Sequence, residues 1–273
     1  MLGKLLKYDM KAGARMIPVT YLAIAVFYLL GLIAKGLHIN QLLATATFLI
    51  VIAGIAAGIL TLIYVILRFH KGLFGAEGYM TQTLPVGKGQ IVLSKVIASY
   101  VWMVLSVVAA ILAFFALIHL HDVKELNKLI SYIFGSSFTP LVVFAVSTGF
   151  VQLIAYIGEL YFAITLANTR PFIRNNVLFS VVFFFVANFV VGLLEIAAML
   201  FIPIGIRITE SGVSLTFETM IGSLFESGNF FNSTQAPLSE ISIGIASGFA
   251  DLAAGIGLIL LACWLLMRKT SVK

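Results

Sequence analysis

Charge is scarce in this sequence. Only 10% of its 273 residues are Asp, Glu, Lys or Arg, while 61% are hydrophobic; a soluble domain carries about 25% charged and about 45–50% apolar residues. A water-soluble globule of this length cannot hide so much apolar surface, which excludes a soluble enzyme. Cysteine is almost absent. Cys263 stands alone, so there is no intrachain disulfide framework and no cysteine-rich metal site. A phosphate-cradling Gly-x-x-x-x-Gly-Lys-Ser/Thr loop is missing as well. The nearest stretch, Gly87-Lys88, runs into Gly89, which lacks the hydroxyl that would hold magnesium. ATP hydrolysis by this chain is therefore not expected, and it is read as a non-enzyme with no catalytic residues, no metal site and no bound cofactor.

What is present is apolar mass, including 23 Phe residues, which excludes disorder. A membrane helix takes roughly 20 apolar residues, and six such runs fit. They lie near Ile17–Ala34, Leu42–Leu67, Ile91–Ile118, Phe138–Ala167, Val177–Ile204 and Ile241–Met267. The runs are continuous rather than alternating, which favours helices over a β-barrel. The expected fold is an all-α membrane protein, a single transmembrane domain over residues 1–273.

Basic residues set the orientation. Lys4, Lys7, Lys11 and Arg15 precede the first span; Arg68, Lys71, Lys88 and Lys95 surround the second connection; Arg170 and Arg174 lie in the fourth; Arg268, Lys269 and Lys273 follow the last span. Only Lys35, Lys124, Lys128 and Arg207 fall on the other side. Both termini are thus expected in the cytoplasm, with the first span retained rather than cleaved as a signal peptide. The net charge of +6 is this topology signal and not a nucleic-acid patch.

Residues 1–16 read as an interfacial helix. Leu2, Leu5, Leu6 and Met10 share one face, and Lys4, Lys7, Lys11 and Arg15 the opposite one. Such a segment lies in the inner leaflet with its basic face near anionic headgroups. Asp9 falls on the apolar face, a flaw in the pattern that a protein contact rather than lipid would explain; the segment reads either as a membrane anchor carrying the topology signal or as a connecting helix that touches a cytoplasmic partner.

The connection 68–90 is too long for a tight turn and too apolar for a solvated linker. Ala76–Thr83 has the composition of a short helix. Pro85 stops it, and Gly87 and Gly89 supply a flexible turn into the third span. The run Glu77-Gly78-Tyr79-Met80-Thr81-Gln82-Thr83-Leu84-Pro85-Val86, followed by Leu93-Ser94-Lys95, resembles the first cytoplasmic loop of permease subunits of type-2 ABC exporters. The opening Met1-Leu2-Gly3-Lys4-Leu5-Leu6-Lys7-Tyr8-Asp9 is similar to their amino termini. The resemblance implies a transmembrane permease in the plasma (inner) membrane whose leader is a connecting helix. It also implies a cytoplasmic coupling helix that seats in a separate ABC ATPase subunit, with Phe74, Glu77, Gly78, Tyr79, Met80, Thr81 and Gln82 as the contact set. ATP and Mg would sit on that partner, and a second permease chain, identical or different, would complete the pathway. A secondary transporter or channel, or a sensor module on the same membrane fold, is the alternative.

Charges within a bilayer cost at least ~2.5–3.5 kcal/mol and mark protein or water contacts. Glu159, Glu195 and Asp251 are the ones inside spans. Helical rise places Glu195 and Asp251 at a shared outer depth and Glu159 deeper toward the cytoplasm, so the three are candidates to line a translocation pathway; hydrogen bonds to Asn188, Gln152 or Tyr156 would be the purely structural use. Small residues four apart, Gly54 with Gly58 and Gly244 with Gly248, let helices approach closely, either in a permease dimer or within one subunit. Residues 205–237 form the longest external stretch, where one short amphipathic helix is expected. An intramembrane protease is disfavoured. The histidines fall near membrane edges, and Asp251 is the lone aspartate within a span.

Overall fold

The computed structural model describes residues 2–75, 78, 87–121, 128, 139–209, 212–217, 219–222 and 241–268. Its helices are α1 (Leu2–Gly13), α2 (Ile17–Gly36), α3 (Asn40–Leu73), α4 (Lys88–His121), α5 (Thr139–Ala167), α6 (Asn176–Phe201) and α7 (Ala246–Arg268). Six of them, α2 to α7, are long and apolar enough to cross a membrane. The protein is an α-helical, multi-pass membrane protein. Its contacts divide it into two compact units, Met1–Lys128 with Leu266–Lys273, and Leu129–Leu265.

In the first unit α2 packs along α3, and α3 along α4. Pro18 lies in the first turn of α2, where its missing N–H costs nothing. His38 takes a left-handed conformation, φ 54°, and turns the chain from α2 into α3. The helices approach through small residues. Ala53, Ala57, Ala109 and Ala113 are buried with Ile24, Ile50 and Leu120 in one core, and lipid-embedded helices associate by such close packing. Gly54 and Gly58 were the expected contact pair. Gly58 is exposed with open space around it, and Gly54 meets nothing nearer than the Ala113 Cβ at 3.8 Å. Within this chain the alanines on the neighbouring face make the contact. A chain of hydroxyls crosses the three helices. Tyr21 and Ser106 are 2.6 Å apart, as are Ser106 and Thr61. At the end remote from α1, His119 lies 3.1 Å from the Tyr28 hydroxyl, His121 lies 2.9 Å from that of Thr47, and Lys35 donates to the His119 carbonyl at 2.8 Å.

α3 and α4 have 34 residues each, about 51 Å at 1.5 Å per residue. That exceeds the ~30 Å hydrocarbon core. Both helices therefore run beyond the lipid, and α3 continues six residues past the Leu67 end expected from hydropathy, to Leu73.

In the second unit α5 and α6 form a helical hairpin. The turn between them is held by the Asn168 side chain, which donates to the Ile164 carbonyl at 2.8 Å and accepts from Asn176 at 3.1 Å. Phe172 packs on Phe179 and Phe183 at 4.8 and 5.0 Å between ring centroids. Beyond α6 the chain forms an antiparallel sheet of order β2-β1-β3, with β1 Gly205–Thr209, β2 Gly212–Thr216 and β3 Ile241–Gly244. Gly205 pairs with Thr216 and Gly244, and Thr209 with Gly212. The strands β1 and β2 were not foreseen in the 205–237 stretch; helical residues 220–222 lie in the same stretch. One expectation is corrected: the sixth span begins at Ala246 because Ile241–Gly244 is drawn into the sheet. Residues 223–240 lie outside the described ones.

Gly158, Gly248 and Gly255 set the approach of α5 and α7. A Cβ on Gly158 would stand 2.7 Å from the Gly255 carbonyl oxygen, and one on Gly255 would stand 2.7 Å from the Ala155 Cα. At Gly158 and Gly255 the two helices thus approach backbone to backbone, whereas Gly248 meets only the Thr148 methyl at 3.2 Å. Gly244 belongs to β3 and abuts Met199 of α6.

Candidate functional site

The first unit builds a platform around Asp9. The periodicity of α1 half-buries Leu2, Leu5, Leu6 and Met10 and leaves Lys4, Lys7, Lys11 and Arg15 exposed. Asp9 shares the docked face and is 6% exposed. Its Oδ1 accepts from Arg68 Nε of α3 at 3.1 Å and from Lys95 Nζ of α4 at 3.5 Å. Its Oδ2 accepts from Ser94 at 2.8 Å, and its carbonyl accepts from the Tyr64 hydroxyl at 3.1 Å. Gly72 leaves room for the Lys95 ammonium, which would stand 2.6 Å from a Cβ there. Gly13 lets the end of α1 close on the Trp102 indole, with which any Cβ would collide. Three side chains from α3 and α4 thus converge on one buried carboxylate, and a fourth, Tyr64, on the carbonyl of the same residue. A buried charge is tolerated only when paired and hydrogen-bonded, so the leader is fixed to α3 and α4 rather than floating in the interface.

The connection resembling a coupling loop departs from this platform. Phe74 ends α3; its amide donates to the His70 carbonyl at 2.8 Å, and its ring packs on Phe69 and His70. Gly78 is buried, donates to the Gly75 carbonyl at 2.8 Å, and lies so close to Leu73 that a Cβ would stand 2.6 Å from the Leu73 oxygen. Glu77, Tyr79, Met80, Thr81 and Gln82 lie outside the described residues. The chain re-enters helix at Lys88.

The second unit brings the three intramembrane carboxyls together. Glu159 of α5 is 3% exposed, and its Oε2 accepts from the Asn188 amide of α6 at 3.1 Å. Asn188 was among the partners that the sequence suggested. Asp251 of α7 is 5% exposed and is an electrostatic neighbour of both Glu195 and Glu159. Glu195 is half-buried on α6, seven residues beyond Asn188, or about 10 Å along the helix. The carboxyls therefore occupy two layers. Asp251 and Glu195 lie about two to three turns from the strands, and Glu159 lies deeper. Asp251 Oδ1 is buried and has no hydrogen-bond partner among the described residues. A buried acceptor left without a donor costs roughly 1–3 kcal/mol. A proton, a water or a cationic group arriving here would remove that cost.

The sequence did not reveal that Asp9 is the hub of an ion cluster, although its place on an apolar face was the available signal. Nor did it reveal the Gly158–Gly255 contact. Comparison with family models, with characterised proteins and with solved structures returned no match.

Proposed function

We propose that this chain is the permease subunit of an ATP-driven exporter in the plasma (inner) membrane, with both termini cytoplasmic and a separate ABC ATPase docking on residues 74–84. The observation that carries this reading is the Asp9 platform. A motor that pushes on a short loop moves the spans only if the loop is mounted on something stiff. Here the leader, the end of α3 and the start of α4 are tied by charge-assisted hydrogen bonds at the root of that loop. ATP and Mg belong to the partner, and a second permease chain completes the pathway. The test is purification of the full chain from its native membrane. An ATPase subunit should co-purify, and its turnover should respond to cargo. Gly78→Leu, which strikes the Leu73 carbonyl, should lower cargo-stimulated hydrolysis at least tenfold while six-span insertion is kept. A chain that moves solute alone in proteoliposomes without ATP would refute the reading.

The Asp251 Oδ1 supports a second reading, an ion-coupled secondary transporter, because a buried carboxyl oxygen lacking a donor among the described residues inside a span is a place to load a cation or proton. The two are separable. Asp251→Asn abolishes gradient-driven uptake in an ion-coupled carrier, but in an ATP-driven permease it alters cargo choice and leaves assembly with the ATPase intact.

A further inference from the structure

We infer that the groove between the start of α2 and the end of α3 holds one anionic phospholipid, its acyl chain between the helices and its phosphate on Arg15 and Lys71. The cavity has a volume of about 570 Å³ and is lined by Ile17, Val19, Leu60 and Ile63 with Arg15, Arg68 and Lys71. From Leu60 to Lys71 it follows α3 for about 16 Å, close to half of the ~30 Å hydrocarbon core. It is thus one leaflet deep, apolar along its length and cationic at one end. Arg68 is engaged by Asp9 at 3.1 Å, whereas Arg15 and Lys71 are exposed side chains. Their position at the root of α2 and in the last turn of α3 is headgroup depth for helices that continue past the hydrocarbon. A free phosphate would use the rim and leave the apolar wall empty. An acidic peptide would have to enter the bilayer to reach Leu60. A two-part ligand with a negative head and a hydrocarbon tail uses both parts. The inference rests on the spanning helices and is independent of the exporter reading.

The test uses the full chain in nanodiscs of equal phosphatidylglycerol and phosphatidylcholine, transferred to detergent for native mass spectrometry. One phosphatidylglycerol should remain per chain in preference to phosphatidylcholine. In R15Q/K71Q that preference should fall about 30-fold, the loss expected for withdrawing two cations from an anionic headgroup. In R170Q/R174Q, which removes the same charge from the exposed turn after α5, it should be unchanged. Leu60→Trp fills the groove and should lower retention of phosphatidylglycerol while Arg15 and Lys71 stay. Equal retention of the two lipids, an unaltered preference in R15Q/K71Q, or displacement of the adduct by excess inorganic phosphate would overturn the inference. So would a lipid-free dimer whose formation depends on Leu60, since that would assign the groove to a second copy.

Discussion

Replacing Asp9 by Asn tests whether the leader is a structural part of the membrane domain. The substitution keeps shape and an acceptor for Ser94 but removes the charge that faces Arg68 and Lys95. Breaking a buried ion pair from one side typically costs about 3–5 kcal/mol because the other charge is left uncompensated. Here the Lys95 side chain is 4% exposed but that of Arg68 is 28% exposed, and both keep further contacts. The low end of the range, about 3 kcal/mol, is therefore the better figure, or roughly a 150-fold shift toward an undocked α1. Hydrogen exchange reads this directly. Amides of Leu2–Gly13 should lose about 100-fold in protection, while those of α5 and α6 should not change. A second variant separates charge from contact. Lys95→Met placed on Asp9→Asn removes one stranded cation, so the double variant should recover part of the lost protection, a non-additivity expected of groups in one network. Protection of α1 within threefold of the parent in Asp9→Asn would show that the ion cluster does not hold the leader.

Three further outcomes follow from packing and hydrogen bonding. Gly255→Ala should lower stability by about 1–3 kcal/mol through overpacking against the α5 backbone, whereas Gly58→Ala, in open space, should raise it by up to about 1 kcal/mol through helix propensity; unfolding in mixed detergent compares them. Gly13→Ala should loosen α1 by forcing it off Trp102 and so reproduce the exchange pattern of Asp9→Asn, whereas Gly3→Ala, with nothing within 4 Å, should not. Ser106→Ala interrupts the Tyr21–Ser106–Thr61 chain and should cost only about 0.6 kcal/mol, the usual value of a hydrogen bond between membrane helices, read from the same unfolding curves.

The spans were legible because lipid imposes one coarse rule: about 20 apolar residues must run together. That rule placed all six helices. It misplaced the ends where something other than lipid decides them. α3 runs to Leu73 because Phe69, Gly72 and Leu73 pack inside the protein. α7 starts late because β3 pairs with β1 through Ile206 with Ile243 and Gly205 with Gly244. The hairpin had its own signal, the alternation in Gly205-Ile-Arg-Ile-Thr and Gly212-Val-Ser-Leu-Thr, but the run is too short and too mixed to register in a search for spans. The leader's two faces were legible from a period near 3.6, and so was the anomaly of Asp9. Its partners were not, since Arg68 and Lys95 lie 59 and 86 positions away and one sequence carries no record of that pairing.

The ionisable residues flagged by their cost in an apolar medium differ in how that cost is met. Asp9 is balanced by two cations and a hydroxyl, so its structural partners account for it without any ligand. Glu159 has the Asn188 amide. Asp251 is as deeply buried as either and has one oxygen with no donor among the described residues. Cost alone ranks the three alike, and only the geometry of their partners distinguishes them. A transport reading that gave equal weight to every intramembrane carboxyl would therefore misplace Glu159, whose interaction is already made. Within the second unit a donor arriving at Asp251 Oδ1 would satisfy a buried acceptor that Glu159 does not leave open, and Glu195 lies half-buried beside it.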